Sequence, residues 1–203
     1  MSVSKEIGKK IKGLKRGTPF RSSKFLELGS RAAVDQALWR LVKAGEITRI
    51  KSGVFVKPEK NAYVGEVLPG PAEIAKYLAR QSGNKVETSG AEAARRFGFT
   101  TQMPSQAVFL TNGPGQKYHL GNLEVQLKHV AARKVALAGR PAGEALSALW
   151  YLGKDEVTPA TFAQIEERLP ASEFAALTSK QEIMPGWMRD KLNEYRRLHN
   201  VGR

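Results

Sequence analysis

Arg31, Asp35, Gln36 and Arg40 follow one another within "SRAAVDQALWR", a stretch whose apolar residues recur every three to four positions. The chemistry of that set is base recognition. A guanidinium can donate two parallel bonds to guanine O6 and N7, a primary amide can pair with adenine N6 and N7, and a carboxylate can accept from cytosine N4. Ser30, Arg31, Asp35, Gln36 and Arg40 are therefore the candidate readers of base edges. Asp35 has a second reading, as the partner that orients Arg31 or as an i,i+4 ion pair on a solvated face. Trp39 is of a type more often found in a core or at an interface than against a base.

Other residue types that do chemistry are present but badly spaced for it. His119, His129 and His199 lie far apart, with no His-x-x-x-His or Glu-bearing metal signature. There is no cysteine, which excludes disulfides, cysteine-ligated zinc and thiol catalysis. "NGPGQKYHLG" is rich in glycine, but no Lys-Ser/Thr closes it as a phosphate loop requires, so it reads as a turn between strands. Ser89–Gly90 and Ser105 lack a nucleophile elbow, and Glu166–Glu167 sits in an amphipathic helix pattern. No catalytic, metal or cofactor site is expected, and the chain is not expected to be an enzyme.

The elements that must hold the readers can be read from apolar spacing. Val3, Ile7, Ile11 and Leu14 make one helical stripe, with lysines largely off it. "RGTP" breaks that helix at Gly17 and Pro19. Ser22 or Ser23 can cap a short second helix holding Phe25, Leu26 and Leu28, which Gly29 ends. Ser30 can cap a third, from about Arg31 to Ala44, with Val34, Ala37, Leu38, Leu41 and Val42 on its apolar face and Gly45 as its stop. Ile47, Ile50, Val54 and Val56 flank Lys51–Ser52–Gly53 as a short hairpin. Three helices and a hairpin predict a winged helix-turn-helix over residues 1–60, with the third helix in the major groove and the hairpin as its wing.

Charge points the same way. The chain of 203 residues carries +14, and residues 1–60 hold 15 Lys/Arg against 5 Asp/Glu, a net of +10. A compact basic module with ordinary apolar patterning predicts a nucleic-acid partner. Ser22, Ser23 and Lys24 are expected at one phosphate crossing, and Arg49, Lys51 and Ser52 at another on the wing. No apolar run approaches the roughly 20 residues that span a bilayer, and the basic start lacks the apolar stretch of a secretory signal, so a cytoplasmic protein is expected.

Residues 61–71 read as a connector with one possible strand, "AYVGEVL", before a Pro69–Gly70–Pro71 boundary. Residues 72–203 read as a mixed α/β domain. Its expected helices include "GAEAARRFG", Pro141 to about Leu152, and one capped by Thr158 with Pro159 at its first position; its strands include "QAVFLTNG" and a pair in "KYHLGNLEVQLKHV". The whole is predicted as α+β, an N-terminal winged helix-turn-helix followed by a mixed α/β C-terminal domain.

The segment "ALWRLVKAGEITRIKSGVFVKP", with "ETSGAEAARRFGF", "AVFLTNGPGQKYHLGN" and "LSALWYLG" further on, resembles the AbiEi-type antitoxins of type IV toxin–antitoxin systems. The resemblance implies a repressor of its own operon that binds promoter inverted repeats as duplex DNA. Its toxin would be a nucleotidyltransferase-like protein, countered without a stable complex. It assigns the DNA contacts to Arg31, Gln36, Arg40, Arg49 and Lys51. A monomer or weak dimer is expected, with no membrane association. The alternatives are an orphan plasmid or mobile-element regulator without a toxin, an RNA-binding protein, and an enzyme acting on DNA. Phe20, Phe25 and Phe55 read as core anchors rather than the stacking platforms that single-stranded RNA needs.

Overall fold

A computed structural model of the chain describes residues 2–61, 63 and 65–200. It is an α+β structure that divides into two compact units, Met1–Tyr77 with Tyr118–Glu124, and Leu78–Lys117 with Val125–Arg203. Ala62 and Val64, part of the expected connector strand, lie outside the described residues.

In the first unit, Ser2 Oγ accepts from the Lys5 N–H at 3.4 Å and starts α1, Val3–Lys12, which buries Ile7 and Ile11 one turn apart. Pro19–Arg21 forms a short strand, β1, that apolar spacing did not suggest. The expected second helix is instead a 3₁₀ segment, Ser22–Leu28, whose buried Ser22 and Phe25 stand three residues apart, as three residues per turn requires. Neither Ser22 nor Ser23 caps it; Arg21 holds that position with no side-chain cap bond. Then come α2, Arg31–Lys43, and strands β2, Thr48–Lys51, and β3, Val54–Val56.

The sheet order is β1-β3-β2, antiparallel throughout. As the middle strand, β3 buries all three of its residues. Phe20 and Phe55 are register partners and stack with centroids 6.0 Å apart, while Phe20 meets Phe25 edge-on at 5.8 Å. These rings pack with Ile7, Ile11, Val34, Ala37, Leu38 and Ile47 in one core. Lys57 Nζ donates to the carbonyls of Lys12 at 2.6 Å and Leu14 at 3.3 Å, tying the chain after β3 to the end of α1. Beyond them β4, Glu59–Asn61, and β5, Gly65–Val67, pair as a ribbon where one strand was expected. Helix α3, Pro71–Arg80, leads the chain into the second unit.

The second unit is a mixed α/β unit. The sheet that follows α3 comprises β6, Val86–Thr88, β7, Ala107–Thr111, β8, Gln116–Leu120, and β9, Leu123–His129, in the order β6-β7-β9-β8; Tyr118–Leu120 of β8 and the first two residues of β9 are counted with the first unit. β6 runs antiparallel to β7, and β7 parallel to β9. Around it stand α4, Gly90–Arg96, α5, Pro141–Glu156, α6, Pro159–Arg168, α7, Ala171–Ser179, and α8, Gly186–Asn200. Thr158 caps α6 in a capping box with Thr161, and Pro159 occupies its first turn, both as expected. α5 loses helical geometry at Gly153 (φ 77°), one residue past its expected end. α4 starts so close to α5 that a Cβ on Gly90 would lie 2.8 Å from the Ser147 carbonyl. Ala93, Ala94, Leu146, Leu149, Phe162, Ile165, Leu177, Met188 and Leu192 are fully buried in the helical core.

Three glutamates of this unit are taken up by its own arginines. Glu92 accepts from Arg95 Nε and Nη2, each at 2.8 Å, and from Arg96 Nε at 2.9 Å. Arg96 also reaches Glu144 at 2.8 Å, and Arg140 reaches Glu173 at 2.8 Å. Hydrogen bonding from Arg95, joined by Arg96 and opposed by partial burial, holds the Glu92 carboxyl at about 2 against an ordinary 4.5. A carboxylate depressed in the folded chain contributes its stability above the unfolded value and loses it as pH falls through the folded one. The Glu92→Gln variant should therefore melt below the parent chain at neutral pH, with the gap closing as pH falls from about 4.5 to about 2. Thermal melts of both chains across that range check this; a gap independent of pH would contradict it.

Candidate nucleic-acid interface

α2 is placed by what it buries. Val34, Ala37 and Leu38 lie against the core, with Leu41 and Val42 half-buried beside them. Arg31, Asp35, Gln36 and Arg40 are all exposed, Gln36 and Arg40 turned away from the buried side and Arg31 and Asp35 at its margin, in the first turns of the helix. Ser30 is exposed too and has a structural duty, since its Oγ accepts from the Ala33 N–H at 3.3 Å and caps the helix. Arg31 Nε donates to Asp35 Oδ2 at 2.9 Å, which is the orienting pair that the spacing allowed. Arg40 forms no ion pair among the described residues.

At about 100° per residue, Trp39 falls between Asp35 and Gln36 on that exposed arc. It is not in the core. The residue is 58 % exposed, with Lys43 Nζ 5.7 Å from the ring centroid. Residue type alone suggested a buried or interface tryptophan; the helical angle is the signal that would have put it among the outward residues.

The hairpin turns at Gly53, whose φ of 71° suits glycine. Arg49 and Ser52 are exposed and Lys51 half-buried, and the β2–β3 register shifts between Arg49 and Lys51. Arg49 Nε lies 3.4 Å from the Lys51 carbonyl, at the outer limit of a hydrogen bond. The Ser22 N–H donates to the Gly53 carbonyl at 3.0 Å, so the start of the 3₁₀ segment is fastened to the hairpin turn. Ser22 is itself buried, 3 % exposed, and belongs to this fastening rather than to the surface. Ser23 and Lys24, next in the chain, are exposed. The candidate group Ser22, Ser23 and Lys24 is thus fastened through Ser22 to the turn that follows Lys51 and Ser52 of the other group. Arg21, which drew no attention while β1 was unrecognised, is exposed and in register with Val54, as Lys51 is from the other flank of β3.

On α1, Lys9, Lys10 and Lys12 are exposed. Lys10 pairs with Glu27, and that hydrogen bond and charge lower the Glu27 carboxyl from its ordinary value. The histidines do not converge on one site. His129 Nδ1 lies 2.8 Å from the Gly113 carbonyl, His199 Nδ1 lies 3.0 Å from the Tyr195 carbonyl, and His119 belongs to the first unit. Among the described residues no group of three or more metal-binding side chains could hold an ion, and no helix is long and apolar enough to cross a membrane.

The family model that matches the chain covers residues 6–176, from within α1 to within α7. The chain belongs to DUF6088, a family of unknown function. No curated protein and no solved structure matches it. The family match spans both units, and α8 lies beyond it.

The geometry makes α2 depend on its cap. Ser30→Ala should cost about 0.5–2 kcal/mol of stability, read as a lower urea midpoint, while Ser30→Asp should retain most of it. Equal midpoints for Ser30→Ala and the parent would contradict the capping role.

Proposed function

We propose that the first unit is a winged helix-turn-helix that binds duplex DNA, and that the chain is a sequence-specific transcriptional regulator. In this reading α2 is the recognition helix and the β2–β3 hairpin is the wing. The order helix, strand, short helical segment, helix, hairpin supports it, as does the pairing of β1 with the hairpin. The observation that carries it is the exposed surface of α2, where Arg31, Gln36 and Arg40 all reach solvent, in a chain whose first 60 residues carry a net charge of +10. A helix about 10–12 Å across fits the major groove, which is about 12 Å wide. Arg31 and Gln36 are the readers, with Asp35 setting the angle of Arg31. Ser23, Lys24, Arg49, Lys51 and Ser52 contact phosphates on either side, and Arg21 extends that set.

The wider role proposed is that of an autorepressing antitoxin whose toxin is nucleotidyltransferase-like. Its support is the resemblance in "ALWRLVKAGEITRIKSGVFVKP" and the later segments. Co-expression with the product of an adjacent toxin-like gene tests it, and continued growth arrest would overturn it in favour of a regulator without a toxin.

DNA binding is tested by fluorescence anisotropy on a duplex from the chain's own promoter, with a scrambled duplex and a structured RNA as competitors. The promoter duplex should win, with log affinity falling by about 0.9 per neutralised phosphate for each log unit of salt. Arg31→Ala should cost about 1–3 kcal/mol at one base position. Arg49→Ala should weaken all duplexes alike and reduce the salt slope by about 1. Unchanged promoter preference in an Arg31→Ala/Gln36→Ala double variant, or equal competition by RNA, would overturn the assignment.

A further inference from the structure

The second unit carries a cavity of about 640 Å³, open to solvent on one side, inside the range of about 300–1,000 Å³ typical of small-molecule sites. One wall is a sheet face. Val108 and Leu110 alternate onto it from β7, and Lys128 joins them from β9 as the register partner of Leu110. The facing wall comes from α5, with Trp150 and Tyr151, and Lys134 closes one side from the 3₁₀ turn Ala132–Val135. The floor lies where Gly90 lets α4 approach α5, and Ser147 Oγ donates to the Thr88 carbonyl at 2.8 Å. These walls are joined by hydrogen bonds and strand pairing, so the cavity is part of the fold.

Its chemistry is one-sided. Among the described residues that line it, none is acidic, and Lys128 and Lys134 form no ion pair. Lys134 Nζ sits 4.4 Å from the Trp150 ring centroid and Arg133 Cζ 5.0 Å, so cations gather at this indole with no carboxylate to neutralise them. Trp150 also carries the one buried side-chain polar atom among the described residues with no hydrogen-bond partner, its Nε1. Ser105, Gln106 and His129 add polar groups to a lining that is otherwise chiefly aliphatic and aromatic. Ser89 and Ser147, which could read a polar ligand, are taken up by the Glu92 N–H and the Thr88 carbonyl.

We propose that this cavity binds a small planar aromatic carboxylate, its ring held between Val108, Leu110 and the α5 aromatics and its carboxylate held by Lys128 and Lys134. A nucleotide offers comparable charge but brings a ribose, which the aliphatic and aromatic walls from β7 and α5 do not match. The site stands on the second unit alone and does not depend on whether the first unit binds DNA.

Isothermal titration calorimetry of the full chain tests it with three probes: 2-naphthoate, its neutral counterpart 2-naphthalenemethanol, and AMP. 2-Naphthoate should bind at one site, at least about tenfold tighter than either other probe, and Lys128→Ala should weaken it by about tenfold or more. Lys128 is exposed, so that variant should fold; a thermal melt beside each titration checks that it does. Equal binding of the neutral probe, a preference for AMP, no heat with 2-naphthoate at millimolar concentration, or a folded Lys128→Ala variant with unchanged affinity would each overturn the assignment.

Discussion

Burial of Val34, Ala37 and Leu38 fixes the rotation of α2 about its own axis, and every outward residue of that helix takes its direction from that. The magnitudes favour this order of cause. Fully burying a valine or leucine side chain is worth about 1.5–3 kcal/mol, whereas an exposed i,i+4 pair such as Arg31–Asp35 is worth about 0.3–0.5 kcal/mol. Turning the helix to improve its surface charges would lose far more than it gained. Phe25, fully buried between the helices and the sheet, and the Phe20–Phe55 stack hold the surface against which α2 is seated.

The two units treat charge differently. In the second, Glu92, Glu144 and Glu173 pair with Arg95, Arg96 and Arg140, so these three arginines are satisfied within the unit. In the first, Arg31 and Lys10 find carboxylates, while Lys24 and Arg40 form no ion pair among the described residues. Like charge left exposed on a compact unit is costly to itself and attractive to a polyanion. That contrast sharpens the uneven distribution already visible in composition.

How much of this was legible depended on how local each cause is. α2 was readable nearly to the residue, because thirteen consecutive residues repeat an apolar face and Ser30 and Gly45 bracket them. The hairpin was readable from β-formers around a glycine. β1 was not, since three residues after Gly17 and Pro19 have no period to detect, and it exists only because β3 offers an edge. The 3₁₀ form of Ser22–Leu28 was missed for a related reason: Phe25 and Leu28 suit either helix until the chain is fastened at Gly53. That fastening also decides Ser22, whose type suggested a phosphate contact and whose position is interior. In the second unit the strands could be recognised singly, but the parallel β7–β9 pairing joins residues that local pattern does not connect. The cavity beside that pairing was invisible for the same reason.

The central claim is that one face of the first unit, built from the start of the 3₁₀ segment, the outer arc of α2 and the hairpin turn, is where duplex DNA lies. Backbone amide shifts of the ¹⁵N-labelled chain, followed during titration with its own promoter duplex, test that claim most directly. The account predicts shifts concentrated at Ser23 and Lys24, over residues 30–40, and at residues 49–53, with α6, α7 and α8 unmoved. Shifts centred on the second unit, or none in those three segments at low salt with the duplex in excess, would contradict it.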